Sequence, residues 1–130
     1  MRGNRGKDTK PEMRLRKALW AAGIRGYRLH WKSVPGRPDI SFPGRRIAIF
    51  VNGCYWHRCP HCDLPLPKSH QAFWKEKFEK NIARDERKSR ELLDLQWKVH
   101  VIWECEIKQD IDACVHRVSA LLENEEDQGR

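Results

Sequence analysis

The chain has 130 residues, 39% of them hydrophobic and 34% charged, which suits one soluble domain with a modest core. No run of residues is long and apolar enough for a membrane span, and no apolar stretch follows Met1-Arg2-Gly3-Asn4-Arg5 as a secretory signal needs. A cytoplasmic protein is expected, and its net charge of +8 favours a polyanionic partner, most simply nucleic acid.

In chain order, residues 1–10 form a basic arm. Met1 to Trp20 holds seven cations against two anions, so the arm is the first candidate for phosphate contacts. Thr9-Lys10-Pro11-Glu12 reads as a helix start, with Thr9 as cap and Glu12 at the capping-box position. Leu15, Ala18, Leu19 and Ala22 continue it on one face, and Gly23 ends it. Tyr27, Leu29 and Trp31 alternate with Arg28, His30 and Lys32, predicting a half-buried strand. Val34 to Pro38 is a turn, Asp39 to Phe42 a second strand, and Pro43-Gly44 another turn. Ile47 to Val51 is continuously apolar, the mark of a central strand.

Asn52 to Ser69 shows no periodicity. A loop of that length in a compact domain needs something to order it. Gln71 to Gln96 reads as a long helix, with Phe73, Phe78, Ile82, Leu92, Leu93 and Leu95 as its apolar members. Lys98 to Trp103 reads as a strand, and Asp112 to Leu122 as a closing helix. The acidic segment 123–130 is expected to be a flexible tail. The elements add up to an α/β fold: a single domain with a short mixed sheet flanked by helices.

Of five cysteines, Cys54, Cys59 and Cys62 crowd into nine residues. In a reducing compartment that pattern points to a metal rather than disulfides. With Cys105, just past the last strand, they make a four-ligand structural zinc site. His61 is an alternative ligand, and Cys105 has the plain alternative of a buried cysteine. Cys114 reads as core. A site closed by four protein ligands leaves no water to activate, so it serves stability.

Asp39 places one carboxylate at a strand start, the kind of group a nuclease uses to hold Mg²⁺. Alone it is a weak signal and reads more readily as a turn aspartate. His57 lies between two zinc ligands, so its ring is held rigidly and can serve as an acid or base near a phosphate. Tyr55 and Trp56 are adjacent aromatics on a loop, either a core lid or a wedge that unstacks bases.

Several motifs together resemble the very short patch repair (Vsr) endonucleases. They are Val34-Pro35-Gly36-Arg37-Pro38-Asp39, Phe50 to His57, Phe73-Trp74, Asn81 with Arg84-Asp85, and Trp103-Glu104-Cys105. The resemblance runs from about Met1 to Lys108. It implies a fold similar to type II restriction endonucleases. It also implies nicking of the thymine-bearing strand at T·G mismatches, which arise where 5-methylcytosine deaminates. By the same resemblance Asp39 is the main ligand of magnesium, present as two ions, and the main-chain carbonyl of Val51 contributes. His57 is the catalytic imidazole, with Glu12, Asp85 and Asn81 in support. Tyr55, Trp56 and Trp74 form a wedge entering from the major groove. Met1, Arg2, Arg5 and Lys7 belong to an arm across the minor groove, expected here to be short. The zinc ligands Cys54, Cys59, Cys62 and Cys105 also match. The implied partners are mismatched duplex DNA, with functional links to a DNA cytosine-5 methyltransferase and to mismatch-repair proteins. A monomer acting at the bacterial nucleoid is expected.

One departure bears on the chemistry. The family's type member has Thr then His where this chain has Val51-Asn52. Asn52 can orient a water but cannot shuttle a proton. Two other readings therefore stand beside the mismatch enzyme: a zinc-stapled module that binds distorted duplex without cutting, and a nicking enzyme with a different target. Plain readings also stand for single residues: Glu12 as a cap, Asp85 as solvated helix surface, and Trp74 as core. His30, His70, His100 and His116 read as structural.

Overall fold

The computed structural model describes residues 9–128, with side chains through residue 123. Helix α1, Lys10–Ala21, starts as expected: Thr9 Oγ1 accepts the Glu12 N–H, and Pro11 lies in the first turn. The reciprocal half of a capping box is not what Glu12 does. Its side chain is buried and turned toward Arg16 and His30.

Four strands follow in the order β1 (Arg28–Leu29), β2 (Ile40–Phe42), β3 (Ile47–Asn52) and β4 (Lys98–Trp103), and they lie side by side in that order. The first two pairings are antiparallel and β3 with β4 is parallel, so the sheet is mixed. The apolar run 47–51 is indeed interior, between β2 and β4. Between β3 and β4 runs α2, Gln71–Asp94, and after β4 come α3, Glu104–Gln109, and α4, Ile111–Gln128.

Burial explains the layering. Ile40, Phe42, Ile47, Ile49 and Ile102 meet Leu15 and Leu19 of α1, Ile107 of α3, and Cys114 and Val118 of α4 in one core. A second, smaller core joins Ala48 to Leu92 of α2 and to Trp97, with Trp31, Val34 and Phe50 packed around it. Alternation along β3 thus sends Ile47 and Ile49 to one core and Ala48 to the other. At about 25 cal/mol per Å² of apolar surface, each fully buried leucine or isoleucine contributes about 2 kcal/mol.

Two expectations are corrected, the strand over 27–32 and the end of the closing helix. The strand read over 27–32 shrinks to two exposed residues, because His30 takes φ 50, outside the extended region. That kink sends Tyr27 to one core and Trp31 to the other. In α2 only Phe78 and Leu92 are buried, whereas Phe73, Leu93 and Leu95 are 60%, 57% and 50% exposed. Helix α3, six residues long, is too short to show a period in sequence. It is started by Glu106 Oε1 accepting the Trp103 N–H at 2.8 Å. Helix α4 runs on through Gln128, past the end expected at Leu122.

His100 is structural as read: Arg117 bridges its Nε2, the Val101 carbonyl and the Glu106 carboxylate. No helix among the described residues is long and apolar enough to cross a membrane.

Candidate active site

The parallel pair β3–β4 ends at Asn52 opposite Trp103. Both chains leave the sheet there, and both deliver cysteines. Cys54 follows β3, and its carbonyl accepts the Cys59 N–H at 2.9 Å. Cys105 opens α3 and donates its N–H to Cys54 Sγ at 3.3 Å. The sulfurs of Cys54, Cys59, Cys62 and Cys105 lie within 4.8 Å of one another. His61 is exposed and is not a member of the group. A tetrahedron with zinc–sulfur arms of about 2.3 Å has edges of about 3.8 Å. The Cys59 and Cys105 sulfurs are 3.8 Å apart, so the spacing suits that ion.

The electrostatics agree. Burial pushes the Cys54 thiol far up, and burial with the neighbouring thiols pushes Cys105 up to about 11. Burial also opposes ionisation of Cys59, but the His61 and Cys62 N–H groups outweigh it and bring its pKa down. Four thiolates at this spacing need a cation between them. Arg58, Asp63 and His70 all have positive φ in this loop, a conformation that costs such residues about 1 kcal/mol each and needs outside support.

A second polar cluster sits on the other side of the β3 end. Asp39, just before β2, accepts the Val51 N–H on Oδ2 at 2.7 Å. Its Oδ1 lies 3.7 Å from His30 Nδ1, and His30 Nε2 lies 2.9 Å from Glu12 Oε2. Arg16 reaches the same Glu12 oxygen at 3.3 Å. Burial raises the Asp39 carboxyl to about 6; the Val51 N–H opposes the rise, and Glu12 adds to it. Asp39 is thus a carboxylate held at a cost, which a bound cation would relieve.

Asp39 and Glu12 share a cleft of about 610 Å³ with Val51, Asn52, Tyr55, Trp56, His57, Asn81 and Asp85. His57 Nδ1 is 2.7 Å from Asp85 Oδ2. A carboxylate there keeps the proton on Nδ1 and leaves Nε2 free to exchange one. Asp85 is therefore not plain helix surface. Asn81 donates to the Trp56 carbonyl at 3.5 Å and accepts from Arg84, tying α2 to the loop. Arg37, Lys77, Arg84 and Lys88 add positive charge around the same cleft.

Beside it the aromatics form one block. Trp56 packs on Tyr55 at 5.1 Å, on Trp74 at 6.1 Å and on Phe78 at 6.1 Å between ring centroids. The Arg58 guanidinium caps the buried Phe78 ring at 4.4 Å. Phe78 anchors the block, whereas Tyr55 stays exposed and Trp56 and Trp74 are half-buried.

The structure thus brings Glu12, Asp39, Val51, Asn52, Tyr55, Trp56, His57, Asn81 and Asp85 to one cleft, with Trp74 stacked at its side. Met1, Arg2, Arg5 and Lys7 lie outside the described residues. His30 is the residue that sequence reasoning missed; it is a member of the acidic cluster, not a bystander. Its signal was the hairpin register, because Leu29 pairs with Ile40 and so puts His30 beside Asp39.

A family model described as DNA mismatch endonuclease Vsr matches residues 1–64, which carry Glu12, Asp39, His57 and three of the clustered cysteines. The type II nicking enzyme V.XorIIP of Xanthomonas oryzae pv. oryzae is 44% identical over 119 residues, 92% of this chain and 86% of that protein. The type II nicking enzyme V.NmeAIP of Neisseria meningitidis serogroup A is 39% identical over 116 residues, 89% of this chain and 81% of its own length. DNA mismatch endonuclease Vsr of Escherichia coli is 39% identical over 109 residues, covering 83% of this chain and 69% of that protein. Likeness of that depth spans the acidic cleft and the thiol cluster together, and on it the chain belongs to the DNA mismatch endonuclease Vsr family.

Proposed function

We propose that the chain is a DNA endonuclease that nicks the thymine-bearing strand beside a T·G mismatch. The observation that carries this reading is one cleft holding both the buried Asp39 carboxylate, with Glu12, and the Asp85-backed His57. Relatives named as nicking enzymes and as a mismatch endonuclease support it.

The donor set fits magnesium, a hard cation that prefers carboxylate oxygen. Asp39 and the main-chain carbonyl of Val51 would hold it, with Glu12 in support. Bound there, magnesium supplies positive charge where a phosphodiester under attack gathers negative charge. The four thiols would hold zinc as a structural ion.

The chain's own residues supply the rest. His57 Nε2 takes a proton from the attacking water or gives one to the leaving oxygen, and Asp85 fixes the ring for either task. Asn52 carries an amide and moves no proton, so this work falls on His57. Arg37, Lys77, Arg84 and Lys88 position the flanking phosphates. Tyr55, Trp56 and Trp74 enter the stack beside the mismatch from the major groove, with Phe78 behind them. The substrate in this reading comes from deaminated 5-methylcytosine, so the enzyme acts in the cytoplasm alongside a DNA cytosine-5 methyltransferase.

Asn52 favours a second reading, a module that recognises distorted duplex without cutting. One experiment separates the two. Duplexes with a single T·G mismatch in varied flanking sequence, labelled on each strand, are incubated with the protein and Mg²⁺. A single nick on the thymine strand, lost in Asp39→Ala, is expected. Binding with no nick in any context would replace the enzyme by the module. Nicking of matched duplex as well would change the target and keep the enzyme.

A further inference from the structure

The cleft's two carboxylates come from different elements. Glu12 belongs to α1, and Asp39 immediately precedes β2. Two like charges side by side repel, so something must hold them for a shared ion. His30 touches both, at 2.9 Å from Glu12 Oε2 and 3.7 Å from Asp39 Oδ1. The three donor atoms lie within 4.8 Å of one another.

The backbone has been bent to put the ring there. His30 takes φ 50, and its N–H donates to the Asp39 carbonyl at 3.1 Å. Side chains other than glycine adopt that conformation at a cost, and such outliers persist where surrounding structure enforces them. The His30 side chain is 15% exposed and that of Glu12 only 2%, so the contact is sheltered from competing water.

We propose that His30 is a positioning residue for divalent-ion binding: its imidazole, in contact with both carboxylates, sets Glu12 against Asp39. The inference rests on the reading of this cleft as a divalent-ion site. His30 acts through Glu12 and is not itself a ligand. Residues that orient metal-binding groups typically change affinity or activity by about 10- to 100-fold when removed.

The test uses Mn²⁺ alone as the probe, titrated into the whole chain without DNA and followed by electron paramagnetic resonance. Nicking of the T·G duplex is measured in parallel. His30→Ala should weaken Mn²⁺ binding by about 10-fold or more and lower kcat with little change in KM for DNA. His30→Gln, which can carry an amide N–H toward Glu12, should recover most of the affinity. In a Glu12→Gln background, His30→Ala should add little, since the two act as one unit.

Three results would each overturn the inference. One is Mn²⁺ binding by His30→Ala that matches the wild type. Another is an affinity of His30→Gln no better than that of His30→Ala. Nitrogen coupling to bound Mn²⁺ that disappears in His30→Gln would make the ring a ligand. Should His30→Ala fail to fold, the glutamine variant with the coupling measurement decides. A wild-type chain that binds Mn²⁺ but nicks no duplex would sink the nuclease reading alone, and leave the titration to judge His30.

Discussion

Two polar clusters flank the end of β3, and they are built on opposite plans. The thiol cluster is closed: four identical groups face one another, supplied by a loop and by the start of α3. The acidic cluster is mixed: two carboxylates and an imidazole, with both carboxylates opening onto a cleft. A closed set can only hold, whereas an open one leaves room for a substrate oxygen. The shared position matters as much as the contrast. The loop that carries Cys54 and Cys59 also carries His57, so ordering the thiols also fixes the His57 ring against Asp85.

The contrast breaks most severely at Cys59. Structural zinc in small sites contributes an apparent 10–16 kcal/mol or so, as much as the total stability of an ordinary domain. Cys59→Ser should therefore release the metal and lower Tm by about 10 °C or more, checked by metal analysis and calorimetry. A variant that keeps its metal and melts normally would show that the cluster is not a closed four-thiol site.

Asp39 should behave in the opposite way. Asp39→Asn should abolish nicking, by about 10³-fold or more, and yet stabilise the ion-free protein. Raising this carboxyl from 3.8 to about 6 amounts to about 3 kcal/mol of destabilisation when it ionises in place. Because the folded-state pKa is raised, the penalty is absent below pH 3.8 and complete above about 6. At pH 8 the variant should thus melt about 5 °C or more above the wild type, with the gap closing as pH falls toward 4. Mg²⁺ should raise the Tm of the wild type and not that of the variant. A variant less stable than the wild type at pH 8 would mean that Asp39 supports the fold rather than the ion.

His57→Ala should cost about 10² to 10⁴ in kcat, and Asp85→Asn about 10-fold or more, with folding intact. Equal loss of stability in both would reduce the pair to a structural link. Trp56→Ala should weaken binding to mismatched duplex about 10-fold more than to matched duplex, since unstacking costs a few kcal/mol per step. Equal loss on the two would make Trp56 packing only. Leu93→Ser, at an exposed position that belongs to neither cluster, should stay within about 0.5 kcal/mol of the wild type.

Much of this was legible in residue order. Thr9 and Pro11 mark a helix start through local chemistry, and the run Ile47 to Val51 reads as interior because only a strand covered on both faces is apolar throughout. The cysteine spacing survives in three dimensions because Cys54, Cys59 and Cys62 are neighbours along one short loop. Legibility failed where a residue's meaning depends on a distant partner. Glu12 has the sequence position of a cap, and its burial against His30 follows only from how α1 packs. Asp85 sits in a charged stretch of helix, and only the path of the Cys54–Cys62 loop brings His57 to it. His30 lies in an alternating stretch that hides a kink.

By itself the sequence determined the types of the longer elements, the interior strand, the four thiols and the family, because each is written in local periodicity, short spacing or motif order. Only the tertiary structure decided which carboxylates share a site, that His30 stands between them, and that Phe78 rather than Phe73 or Leu93 is buried. Those facts depend on register and on helix packing, where side chains far apart in the chain meet at distances of a few ångströms. No local pattern of residues encodes that distance.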